Sequence, residues 1–120
     1  MPKTCYFIGS SKKVISAFPD DVKSSIGNSL FIAQSGGEAS KVKALKGFGG
    51  RGVLEVVEDY DGNTYRAVYT LRFATAVYVL HAFQKKSKSG ITTPKHEIDL
   101  ITARLKDAEA LHKHLTTKGD

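Results

Sequence analysis

The feature that most limits how this chain can fold is a set of three closely spaced apolar runs at residues 53–58, 64–73 and 76–83, rich in Val, Tyr, Leu and Phe. Branched and aromatic residues in runs of this length read as β-strands. Asp61-Gly62-Asn63 supplies hairpin-turn chemistry between the first two runs, and a very short link joins the second to the third. The expected unit is an antiparallel meander. Strict polar–apolar alternation is blurred, so one face should pack on helices and the other should be partly covered too.

The flanks fit around such a meander. Residues 4–8 read as a short strand that ends at Gly9-Ser10. Ser10 or Ser11 can cap a short helix running to about Phe18. Pro19-Asp20-Asp21 then opens a second helix, since proline suits a first turn and acids there suit the helix dipole. Val22, Ile26, Leu30 and Ala33 fall on one helical face, and Gly36-Gly37 stops the run. The pair should form a helical hairpin with an apolar seam. Residues 38–52 are polar and glycine-rich and read as a connection. They lack the Gly-Lys-Ser/Thr ending of a phosphate loop and any strand leading into one. Thr93 is placed to cap a last helix with Pro94 in its first turn, and Ile98, Ile101, Leu105, Ala108, Leu111 and Leu115 make an apolar stripe along it. The order β-α-α-β-β-β-α predicts a single α+β domain over residues 1–120.

Length and composition agree, since 120 residues with 41% hydrophobic and 25% charged content are enough for one core without disulfides or metal. No apolar stretch approaches the length of a bilayer span, and the N-terminus has no signal-peptide core, so no membrane role is expected. A lone cysteine, Cys5, in an apolar run fits a buried thiol in a reducing compartment, here the cytoplasm. His81, His96, His112 and His114 lack metal-ligand spacing, so neither a metal nor a cofactor is expected.

Charge is unevenly distributed. Residues 41–96 carry 10 basic and 4 acidic side chains, which accounts for the whole net charge of +6. That field either binds a polyanion or simply solvates a face. Arg66 lies inside an apolar strand. It must either pair across the sheet with Glu55 or Glu58 or hold a phosphate in bidentate geometry. His81, Phe83 and Lys85 alternate and share one strand face, with Gln84, Lys86 and Leu80 on the other. Phe83 could stack on a base, Lys85 could meet a phosphate and His81 could move a proton, or Phe83 and His81 could both belong to the core. Lys85, Lys86 and Lys88 repel one another unless an anion accepts them.

Three marks in this segment resemble the RelE/ParE toxin superfamily, in particular its HigB-like, phage-associated branch. They are Leu45-Lys46-Gly47 ahead of a strand bearing Leu54-Glu55, then Tyr65-Arg66 with Tyr69, then Leu80-His81-Ala82-Phe83-Gln84-Lys85-Lys86-Ser87 followed by Pro94 and a helix. The resemblance implies the RelE-like fold and a toxin of a type II toxin–antitoxin pair. It implies metal-independent cleavage of mRNA on the ribosome and neutralisation by a helix-turn-helix antitoxin. Arg66 would stabilise transition-state charge, Lys85, Lys86 and His81 are the other catalytic candidates, and Lys46, Arg51, Tyr69, Phe83 and Lys88 are the RNA contacts. Two departures matter. Glu55 and Val57 stand where many such nucleases carry lysines, and no tyrosine follows Tyr78. The acid and base are thus unassigned, and a ParE-like toxin acting on gyrase or another protein, or a remnant that binds only an antitoxin, are the alternatives.

Overall fold

The computed structural model describes residues 2–49, 52–85 and 93–118. These form β1 (Thr4–Phe7), α1 (Ser11–Ser16), α2 (Asp20–Gln34), β2 (Val42–Ala44), β3 (Val53–Tyr60), β4 (Asn63–Thr70), β5 (Ala76–Lys85) and α3 (Lys95–Lys118). The expected α+β order holds, with one strand added. The sheet runs β1-β5-β4-β3-β2.

The meander is the backbone of the fold. Tyr60 pairs with Asn63, so the β3–β4 loop is the two residues Asp61 and Gly62. Both have positive φ, 50° and 81°, as a tight turn matching the strand twist requires. β4 ends at Thr70 rather than at Phe73, because Phe73 turns away to pack edge-on against Tyr78 and beside the ring of His112. β1 joins β5 in parallel, with Thr4 opposite Ala76 and Phe7 opposite Val79. At the other edge, β2 lies within the segment read as a loop: Val42 pairs with Val56 and Ala44 with Leu54.

Each sheet face has its own core. Phe18, Val22, Ile26, Leu30 and Ala33 of the helix pair pack on Leu54, Val56, Tyr65, Ala67, Tyr69, Val77 and Val79. On the opposite face Ile101, Leu105 and Ala108 of α3 cover Val53, Val68, Tyr78 and Leu80. Burial on both faces explains the blurred alternation of the strands. β4 and β5 slip register between Val68 and Tyr69, and this brings Leu80 into the α3-side core instead of leaving it with Gln84 on the other face.

Two expected caps take other roles. Ser10 sits at the N-cap of α1 without capping it; its hydroxyl accepts an N–H from Arg104 at 3.1 Å. At the start of α3 the Pro94 carbonyl takes the amides of Glu97 and Ile98, and Thr93 Oγ1 has no hydrogen-bond partner among the described residues. Cys5 is half-buried, and its burial pushes the thiol pKa up. Among the described residues, no helix is long and apolar enough to cross a membrane.

Candidate functional site

Polar side chains gather on the α3-side face of the meander, beyond the end of its apolar core. Strand alternation places Glu55 of β3, Arg66 of β4 and Phe83 and Lys85 of β5 there, with Arg66 directly opposite Phe83. Lys43 of β2 lies opposite Glu55. Arg66 is 2% exposed, and its Nη1 donates to Glu55 Oε1 at 2.9 Å. The other carboxylate oxygen of Glu55 lies 3.9 Å from Lys43 Nζ. A charge pair this deeply buried persists only with good geometry and close partners. The cross-strand pairing anticipated for Arg66 is thus present, with Glu55 as the acid. Glu58 points to the helix-pair face, where Ser25 and Lys41 bind it.

His81 is buried on the same face as Arg66. Its ring stacks on Phe83 with centroids 5.4 Å apart. Nε2 lies 2.6 Å from the Glu97 carboxylate, and Nδ1 lies 3.2 Å from Arg104 Nη1. The same Nη1 donates to the Leu80 carbonyl at 3.1 Å. Glu97 and Arg104 both come from α3, so this network fixes the start of the helix on the sheet. Sequence reading had missed both residues. Their separation of seven, two helical turns flanking the stripe from Ile98 to Leu105, was the available signal.

A cavity of about 390 Å³ opens between β2 and the first turns of α3, lined by Lys43, Ala44, Leu45, Lys46, Glu55, Thr93 and Ile98. Lys46, a candidate RNA contact, is exposed at it. Lys85 is half-buried at the end of β5, opposite Thr64. Phe83 is only 8% exposed, so its ring packs inward instead of standing out as a platform. Tyr69 is fully buried in the helix-pair core. The odd spacing in Tyr65-Arg66-x-x-Tyr69 puts both tyrosines on the face opposite Arg66, so the motif cannot present one continuous surface. Lys86, Lys88 and Arg51 lie outside the described residues.

A mixed sheet held between a helix pair and a long C-terminal helix, with ion-paired polar groups at one end of the α3-side face, defines a small α+β domain of the RelE-like type. The chain belongs to the family described as phage derived protein Gp49-like (DUF891), whose sequence model matches residues 13–106; this is a RelE/ParE-like toxin family. No curated protein and no solved structure matches the chain. Membership in a toxin family is consistent with a toxin–antitoxin role and suggests an antitoxin partner.

Proposed function

We propose that the chain is a cytoplasmic type II toxin of the HigB-like branch that cleaves mRNA on the ribosome and is neutralised by a helix-turn-helix antitoxin. The observation that supports this reading is the placement of Arg66, His81, Phe83 and Lys85 on one sheet face, within the segment that supplies the chain's net positive charge. Phosphate contacts of this kind give affinity for RNA without sequence information, and a ribosome would supply the positioning.

The chemistry is attack of a ribose 2′-oxygen on the adjacent phosphorus with departure of the 5′-oxygen, leaving a 2′,3′-cyclic phosphate and a 5′-hydroxyl. It needs a base at the 2′-hydroxyl, positive charge on the phosphate and an acid at the leaving oxygen. Arg66 is assigned to the phosphate charge. Lys85 and the His81–Glu97 pair are the candidates for the two proton transfers, with Lys86 beside them in sequence.

One observation favours a second reading. Arg66 and His81 are both buried and held by carboxylates, which suits a structural role and therefore a non-nuclease toxin that binds gyrase or another protein. Induced expression separates the two, with transcript 5′-ends mapped and plasmid supercoiling measured in the same cells. Cleavage predicts growth arrest with codon-phased mRNA ends. Arrest with intact transcripts sinks the nuclease reading, and an accompanying loss of supercoiling supports the gyrase alternative.

A further inference from the structure

The Glu55 carboxylate meets two cations at the edge of a cavity whose other described lining is Lys46, the Thr93 side chain and apolar carbon. Arg66 donates to one of its oxygens at 2.9 Å, and Lys43 lies 3.9 Å from the other. Lys46 adds a third positive charge, while Ala44, Leu45 and Ile98 supply apolar wall. Among the described residues, Lys43 and Lys46 line the cavity beside the Glu55 carboxylate, and Arg66 binds that carboxylate. In the sheet order β2-β3-β4, Glu55 stands between the β2 wall of the cavity and Arg66.

A guanidinium binds carboxylate and phosphate oxygens with the same fork of N–H donors. An RNA phosphodiester entering between Lys43 and Lys46 therefore seeks the donors that Glu55 already occupies. We propose that Glu55 is an internal stand-in for the substrate phosphate. It keeps Arg66 neutralised in the free chain, and the RNA backbone displaces it so that Arg66 turns from a structural ion pair to a phosphate ligand. This rests on the RNA reading above and adds a restraint to it: the arginine becomes available only when a phosphate competes for it. It also gives a purpose to an acid at a strand position where many of the nucleases this chain resembles carry lysine.

The test is binding of a short single-stranded RNA oligonucleotide to the purified full chain and to Glu55→Gln, over a series of salt concentrations. Glutamine keeps the shape of the side chain and removes its charge. The expected result is roughly tenfold tighter binding by Glu55→Gln, with the slope of log affinity against log salt steeper by about one, because in the wild type the displaced carboxylate takes up a cation that offsets one released from the RNA. A folded variant with wild-type affinity and slope overturns the proposal, as does failure of both chains to bind. Should Glu55→Gln not fold, the guanidinium nitrogen resonances of Arg66 in the wild-type chain decide the matter. They shift on saturation with RNA if Glu55 is displaced, and unmoved resonances in the saturated complex overturn the idea. Transcript cuts in cells together with an unaltered Glu55→Gln profile would sink the stand-in alone. RNA-dependent displacement with intact transcripts would sink the nuclease reading alone.

Discussion

Arg104 lies with Nη1 3.2 Å from Nδ1 of His81, and because a guanidinium can only donate, that ring nitrogen is the acceptor. The ring proton then sits on Nε2, pointed at Glu97 2.6 Å away. We expect nitrogen NMR of the folded chain at neutral pH to find the His81 proton on Nε2 and none on Nδ1. Arg104→Ala should release that preference and cost about 1–3 kcal/mol, because the side chain also donates to the Leu80 carbonyl. A protonated Nδ1 in the wild-type spectrum would contradict the assignment.

Gly9 couples to the same arginine. Its φ is +58°, and a Cβ there would lie 2.9 Å from Arg104 Cζ. Gly9→Ala should therefore lose about 1–2 kcal/mol from the left-handed backbone alone, with a further loss from displacing Arg104. A double-mutant cycle in urea with Arg104→Ala should show non-additivity, since the second component exists only while the guanidinium is present. Strictly additive losses would mean that the two residues do not meet.

Arg66→Ala should destabilise the fold by about 3–5 kcal/mol, because among the described residues it leaves the buried Glu55 carboxylate with the half-exposed Lys43 as its cation. Equilibrium unfolding in urea measures this directly. Loss of toxicity in this variant would consequently report on folding as well as chemistry. Arg66→Lys, which retains a charge but not the fork of donors, is the better probe of activity. A loss below 1 kcal/mol for Arg66→Ala would indicate that the pair is dispensable to the fold.

Stability should fall in alkali. Burial raises the Cys5 thiol above its ordinary 9.0, and burial followed by the nearby Tyr6 raises the Tyr78 hydroxyl above 10.0. For each group the folded pKa exceeds the unfolded one, so the folded chain holds its proton more tightly. The resulting stability is fully present below the unfolded value and is lost as pH rises from there through the folded value. Urea midpoints recorded from neutral pH upward should decline from about pH 9, and Tyr78→Phe should flatten the part of the decline beyond pH 10. An unchanged profile in that variant would assign the alkaline loss to other groups.

The tight turn at Asp61-Gly62, the meander it organises, the apolar face of α2 and the stripe of α3 were all legible in the sequence. Each is specified locally: turn residues that accept positive φ, and apolar spacings that match one helix or one strand. The three-residue β2 was not legible. Its Val-Lys-Ala carries too little pattern, and only pairing with β3 makes it a strand. Parallel docking of β1 beside β5 likewise depends on segments far apart in the chain.

The site divides along the same line. Arg66, His81 and Phe83 stood out as unusual side chains in apolar strands, and the sequence by itself determined that they share a sheet face or must find partners. It did not determine which partners. Glu55 for Arg66, and Glu97 with Arg104 for His81, follow from strand register and from where α3 lands on the sheet. Burial then decided their character. In water Arg66 would have been part of a solvated basic surface and the His81 ring would have bonded to water, whereas burial removed the water and made each side chain answer to a specific partner. Whether a side chain is a surface contact or a clamped internal pair depends on what covers it, and that is a property of the tertiary structure.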